Sequence, residues 1–94
     1  ETQIQASRQL IYHAAWLKDN NKDVVKDAAI AKLFSSEATM KITTEAIQIL
    51  GGYGYIKEYD VERFFRDAKL LTIGEGTSEV QKIVIAREIL KKYI

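Results

Sequence analysis

Apolar residues recur along most of this chain at the spacing of α-helices. An amphipathic helix is predicted over residues 2–18, with one apolar face that comprises Ile4, Ile11, Ala14 and Leu17. The polar run at residues 19–22 interrupts this pattern and predicts a turn between two helices.

A second, longer helix is predicted over residues 23–50, and apolar residues occupy nearly all of its sides. Such a helix is usually surrounded by other elements. Four small residues are expected to let a neighbouring helix approach closely: Ala28, Ala31, Ser35 and Ala38. At ~1.5 Å per residue the helix spans roughly 40 Å. Because the rest of this chain could hardly cover that length, we expect further packing partners.

Glycine-containing segments divide the second half of the chain. Gly51 and Gly52 are expected to end the long helix, since glycine adopts the left-handed conformation of a helix C-cap at little cost. A short helix is predicted over residues 61–70, with Asp60 as its N-cap.

A last helix is predicted from Thr77 or Ser78 to about residue 92, after a connection at residues 71–76. Ser78, followed three residues later by Gln81, fits a capping box. The predicted fold class is all-α, an up-and-down helical bundle that occupies residues 1–94 as one partial domain.

The overall composition excludes several classes of function. Fourteen basic and thirteen acidic residues leave a net charge of +1, so neither nucleic acid nor an anionic membrane is an expected partner. No apolar run reaches the ~18 residues of a membrane span, and no signal-peptide pattern indicates export. The chain has no cysteine, and no metal site is predicted. Because it begins without Met inside a helical pattern, we expect it to be a fragment.

The strongest candidate for chemistry is Glu75, which stands between Gly74 and Gly76 just before the last helix. Flanking glycines let a ligand approach the backbone and permit unusual torsions. The following helix start offers unpaired N–H groups and a partial positive charge. A base beside an oxyanion stabiliser suits abstraction of a proton α to a carbonyl. By itself the pattern also fits an ordinary glycine-rich helix start with a surface glutamate.

A second glycine-rich stretch, Gly51 to Gly54, contains Gly-x-Gly. It follows a helix rather than a strand, so the sequence does not predict a dinucleotide fingerprint of the Rossmann type.

Four motifs taken together closely resemble the C-terminal end of the acyl-CoA dehydrogenases. They are Gln-Ile-Leu-Gly-Gly-Tyr-Gly-Tyr at 48–55, Glu-Tyr-Asp-Val-Glu-Arg-Phe-Phe-Arg-Asp-Ala-Lys at 58–69, Gly-Glu-Gly-Thr-Ser-Glu-Val-Gln at 74–81 and Ile-Ala-Arg-Glu at 85–88. They occur in the order and at the spacing of that family, and the resemblance covers essentially the whole chain.

The resemblance implies an FAD-dependent flavoprotein of fatty acid β-oxidation, an oxidoreductase that converts an acyl-CoA into a 2-enoyl-CoA. In that family the glutamate at the position of Glu75 removes the α proton, and the β hydrogen leaves as hydride to flavin N5. An electron-transferring flavoprotein reoxidises the flavin, and homotetramers are the usual assembly. Such an enzyme would lie in the cytoplasm of a bacterium or in the mitochondrial matrix of a eukaryote.

The resemblance also implies binding residues. Gly76 and Arg87 match substrate-contacting positions, with Arg87 toward the CoA end; a structural role for this arginine is a nearly equal alternative. An adenosine group, expected to contact FAD held mainly by a neighbouring subunit, comprises Gln48, Ile49, Leu50, Gly51 and Gly52. A helix-start group, expected to meet FAD phosphate or ribose, comprises Thr77, Ser78 and Glu79.

Two positions depart from the family pattern. Gly74 stands where many members carry Tyr, which would reshape the thioester pocket, and Asp60 stands where Pro is usual. The family's N-terminal helical domain and middle β domain are not in this chain, so the isolated 94 residues are expected to be inactive. Two alternatives stay open: a helical oligomerisation or interaction module without catalysis, and an acyl-CoA oxidase that uses oxygen.

Overall fold

Five helices and no strand make up the computed structural model, which describes all 94 residues. The helices are α1 (Thr2–Asp19), α2 (Val25–Leu50), α3 (Gly52–Tyr55), α4 (Val61–Leu70) and α5 (Ser78–Leu90). The all-α fold class is confirmed, and each of the four predicted helices is found within two residues of its predicted ends.

Helix α2 is the centre of the molecule and contacts all the other helices. Of the remaining pairs only α3 and α4 contact each other, so α1, α4 and α5 lie separately along α2. The molecule is therefore elongated, 52 × 24 × 19 Å, with a radius of gyration of 15.8 Å. A compact chain of this length would have a radius of gyration of about 12 Å.

The buried core consists of alanines. Ala29, Ala31 and Ala38 of α2 and Ala68 of α4 are buried, and no large side chain is fully buried. Small side chains allow the helix axes to approach closely, as the sequence predicted for Ala31 and Ala38. The prediction was wrong for Ala28, which is exposed.

Large apolar side chains remain on the surface. Trp16 is 51% exposed, Phe64 50% and Ile83 64%. The accessible surface of 6970 Å² exceeds the roughly 5,500 Å² that a compact monomer of this mass would expose. The chain thus leaves open apolar faces of the kind that further protein surface covers. None of its helices has the length and hydropathy of a membrane span.

The helix starts differ from two of the predicted caps. Thr77 is the N-cap of α5, and its Oγ1 accepts a hydrogen bond of 3.1 Å from the Val80 N–H. The predicted capping box, one residue later at Ser78, is therefore wrong. At α4, Asp60 occupies the N-cap position but makes no side-chain cap bond; its carboxylate lies 3.6 Å from Arg63 Nη2 instead.

Two glycines control the end of α2. Gly51 ends the helix where the sequence predicted, but its φ of +60° and ψ of −135° are not the left-handed helical conformation that was expected. The chain then folds into α3, a short helix that the sequence did not predict. A β-carbon on buried Gly54 would lie 2.5 Å from the Ile47 carbonyl oxygen and 2.9 Å from Ile47 Cα. Gly54 thus lets α3 contact the backbone of the last turns of α2.

An exposed ion pair stabilises one face of α4. Arg66 donates hydrogen bonds of 2.7 and 3.1 Å to the two carboxylate oxygens of Glu62, one helical turn away. These bonds hold the pKa of Glu62 below its ordinary value and raise the pKa of Arg66.

Candidate active site

The loop between α4 and α5 holds Glu75 in a left-handed backbone conformation, with φ +56°, followed by Gly76 at φ +94°. Positive φ is uncommon for a residue other than glycine and costs on the order of 1–3 kcal/mol. The sequence predicted unusual torsions at the flanking glycines, but Gly74 has none, and Glu75 itself carries the strained torsion. Strain of this kind persists only where the surroundings fix it, and it is typical of functional positions.

Side chains from two helices hold the backbone of this loop. Lys32 Nζ, on α2, donates a 2.5 Å hydrogen bond to the carbonyl oxygen of Gly76. Gln81 Nε2, on α5, donates to the carbonyl oxygens of Glu75 at 3.2 Å and Gly76 at 3.4 Å. Sequence analysis predicted neither contact. The Lys32 contact is not visible in the sequence, because Lys32 lies 44 residues before Gly76.

Glu75 has two groups without a hydrogen-bond partner in the chain: its side-chain carboxylate and its backbone N–H. Its side chain is exposed in this chain. Its backbone N–H donates no hydrogen bond to another backbone group of the chain. A carboxylate can accept a proton, and an unpaired N–H can stabilise an oxyanion that develops as that proton leaves.

A depression of about 380 Å³ lies beside the start of α5 and includes the whole helix-start group. Its lining comprises Glu37, Met40, Lys69, Thr72, Ile73, Thr77, Ser78 and Glu79. The Ser78 hydroxyl is buried there without any hydrogen-bond partner, which is unusual for a buried polar atom. Two carboxylates, of Glu37 and Glu79, and one lysine, Lys69, line the depression. Carboxylates accept hydrogen bonds from hydroxyl groups but repel anions, so this lining favours a ligand with hydroxyls over a bare phosphate. The depression therefore fits the ribose part of FAD.

The adenosine group lies on a different surface. Gln48, Ile49, Leu50, Gly51 and Gly52 are all exposed around the junction of α2 and α3, and Ile49 is 82% exposed. None of them lines the depression at α5. Gln48 begins roughly 12 Å beyond Met40 along α2, so the structure does not bring the two predicted FAD-binding groups together.

Arg87 is also separate from the loop, because nine residues of α5 place it roughly 13 Å from Ser78. Its guanidinium is mostly exposed, and its Nε lies 3.5 Å from the Glu88 carboxylate. Glu88 is buried and also accepts a 2.8 Å hydrogen bond from Lys91. The structural alternative expected a partly buried arginine, whereas this guanidinium is exposed and contacts only its neighbour in sequence. The substrate role of Arg87 stays a prediction.

Comparison with known proteins places the chain in one family. The family model of the acyl-CoA dehydrogenase C-terminal domain matches residues 1–90. A probable acyl-CoA dehydrogenase of Bacillus subtilis is 58% identical over 89 residues, which are 95% of this chain and 23% of that protein. This chain belongs to the acyl-CoA dehydrogenase family, as its motifs predicted.

Solved structures agree with that assignment. Butyryl-CoA dehydrogenase from Megasphaera elsdenii has a TM-score of 0.93 at 52% identity, over 95% of this chain and 23% of its own. The FAD complex of PigA has a TM-score of 0.90 at 31% identity, over 94% of this chain and 23% of its own. The chain thus spans about a quarter of the length of these relatives.

Proposed function

We propose that this chain is the C-terminal helical part of an FAD-dependent acyl-CoA dehydrogenase, with Glu75 as the catalytic base. The observation that carries the proposal is the backbone of Glu75. A non-glycine residue is held at φ +56° between two glycines, directly ahead of the capped start of α5. The other non-glycine residue with positive φ is Asn21, in the turn between α1 and α2, but asparagine adopts this conformation more readily than glutamate does. Strain at a residue such as Glu75 is typical of functional sites.

Glu75 performs the proton transfer in this proposal. Its carboxylate removes the α proton of the acyl thioester while the β hydrogen departs with its bonding electrons, so that a Cα–Cβ double bond forms. Negative charge that builds on the thioester oxygen is stabilised by the free N–H of Glu75. When bound, FAD would supply a hydride acceptor for the β hydrogen.

The remaining predicted residues bind and orient in this proposal. Thr77, Ser78 and Glu79 contact the ribose of one FAD, whose hydroxyls can donate hydrogen bonds to the carboxylates of the depression. Gly76 contacts the substrate beside the base, and Arg87 contacts the CoA end. CoA is an extended molecule, so the separation between Arg87 and the loop is compatible with one bound substrate.

The adenosine group gives a structural reason for an oligomer. Because residues 48–52 lie on a different surface from the depression at α5, they are suited to FAD held mainly by another subunit. The exposed apolar side chains of the bundle are suited to contacts with the other domains and subunits. We therefore propose a tetramer in which an electron-transferring flavoprotein reoxidises the flavin.

The direct test is an anaerobic titration of the purified full-length protein with acyl-CoAs of several chain lengths. We expect a bound flavin whose visible absorbance disappears as 2-enoyl-CoA forms in equal amount. A colourless protein, or a flavin that acyl-CoA does not reduce, would favour the alternative of a helical module without catalysis.

Reoxidation separates the two enzyme alternatives. The proposed dehydrogenase passes its electrons to an electron-transferring flavoprotein and consumes oxygen slowly. If oxygen uptake instead matches the rate of enoyl-CoA formation, the protein is an acyl-CoA oxidase and the base assignment is unaffected.

A further inference from the structure

We propose that Lys32 is a positioning residue, which holds the loop so that the Glu75 carboxylate points at the substrate. The inference rests on the proposed function of Glu75 and extends it to a residue on a different helix. Lys32 Nζ donates a 2.5 Å hydrogen bond to the Gly76 carbonyl oxygen, and this carbonyl follows the base by a single residue.

The Lys32 side chain provides a hydrogen bond that the backbone of the loop does not provide for itself. Glu75 and Gly76 both have positive φ, so their carbonyl oxygens are not in the pattern of a regular helix. Backbone carbonyls in such a segment need partners from elsewhere. Only side chains supply them here: Gln81 reaches both carbonyls at 3.2 and 3.4 Å, and Lys32 reaches Gly76 at the shorter distance.

Lys32 is the more important of the two side chains because of the helix on which it lies. Gln81 belongs to α5, the helix that directly follows the loop. Lys32 belongs to α2, which contacts every other helix of the chain, and it is half-buried. A hydrogen bond from a charged donor is short and strong. Lys32 thus connects the loop to the central helix of the chain.

The test compares Lys32→Met with Lys41→Met in the full-length flavoprotein. Lys41 lies on the same helix, is exposed, and makes no hydrogen bond or ion pair within the chain. We expect Lys32→Met to keep its FAD and its KM, while kcat per bound flavin falls roughly 10- to 100-fold, since misplacement of a reacting group by about 1 Å has this effect. Lys41→Met should match the wild type.

A second readout separates positioning from general stability. If the base is misplaced, proton removal becomes slower, so the kinetic isotope effect with α-deuterated acyl-CoA should increase in Lys32→Met. Lys32→Arg keeps a charged donor and should recover most of the lost kcat. Should Lys32→Met fail to bind FAD, Lys32→Gln takes its place: its shorter side chain keeps a polar end but should not reach the Gly76 carbonyl oxygen, and we expect the same loss of kcat.

The inference is overturned if kcat per flavin and the isotope effect both stay at wild-type values in these variants. Glu75→Gln is assayed beside these variants, so that a failure of the base assignment can be distinguished from a failure of the positioning role of Lys32. If Glu75→Gln is inactive and Lys32→Met is not, the base assignment stands and the positioning role is wrong. If Glu75→Gln is fully active, the proposed function itself is wrong.

Discussion

At the scale of single residues, the backbone conformation of Glu75 is better evidence for a functional site than the position of its side chain. The Glu75 carboxylate is simply exposed in this chain. Its φ of +56° is the distinctive feature, because α2 and α5 must supply hydrogen bonds to keep it there. We interpret the strain as the cost of directing one carboxylate away from the bundle and toward a ligand.

Gly76 is the residue on which this conformation most depends. A β-carbon there would lie 2.5 Å from Gln81 Nε2, at a φ of +94° that L-residues rarely adopt. Gly76→Ala should therefore lower the free energy of unfolding by about 1–3 kcal/mol, measured by denaturant unfolding of the full-length protein.

The matched control is Gly74→Ala. A β-carbon at Gly74 would come no closer than 3.4 Å, to the Leu70 carbonyl oxygen, and the backbone there needs no positive φ. We expect its free energy of unfolding to change by less than about 1 kcal/mol. Equal losses in the two variants would contradict the assignment of the strain to residues 75 and 76.

The sequence predicted the candidate base but not the way it is held. Glycines on both sides of a glutamate before a helix are visible in the sequence, and so is the family pattern around them. The hydrogen bond from Lys32 is not visible, because it joins residues 44 positions apart. The cap was misplaced by one residue because Thr77 and Ser78 are both good cap residues, and only the extended backbone of Thr77 decides between them.

At the scale of the elements, hydrophobic periodicity predicted the four longer helices, because apolar residues recur in each of them at helical spacing. The chain covers these residues only in part: α1 has no buried residue, and α5 buries only Ser78 and Glu88. It failed for α3, whose sequence Gly-Tyr-Gly-Tyr has neither a stripe nor good helix formers. Helix α3 forms because it packs on α2, which is a tertiary cause that local sequence does not reveal.

Packing of α3 on α2 gives a prediction about Gly54. Gly54→Ala should lower the free energy of unfolding by about 1–3 kcal/mol, because its β-carbon would overlap the backbone of Ile47 and force the two helices apart. Gly52→Ala is the control, since no atom lies within 4 Å of a β-carbon there. Thermal and denaturant unfolding should show no loss for Gly52→Ala; a loss as large as that of Gly54→Ala would contradict this account of α3.

At the scale of the whole molecule, the chain is a long central helix with smaller helices along it, and its core is made of alanines. The sequence predicted that α2 needed more cover than the chain provides, because apolar residues occupy nearly all of its sides. It could not predict which faces stay open, since that depends on where α1, α4 and α5 lie around α2.

The open faces lead to a prediction about the isolated chain. In a dye-reduction assay with added FAD and acyl-CoA, the 94 residues alone should give no turnover above FAD without protein. The reason is that Glu75, the proposed base, is exposed in this chain. The full-length protein is the positive control, and comparable turnover by the isolated chain would show that the site is complete without further domains.

The central claim is that Glu75 removes a proton from the substrate, and one comparison tests it most directly. Glu75→Gln in the full-length protein is measured by anaerobic flavin reduction with acyl-CoA, beside Glu45→Gln, an exposed glutamate of α2 without hydrogen bonds or ion pairs. We predict normal FAD content in both variants, wild-type reduction in Glu45→Gln, and reduction slower by about 10³-fold or more in Glu75→Gln. A Glu75→Gln protein that reduces its flavin at the wild-type rate would contradict the account.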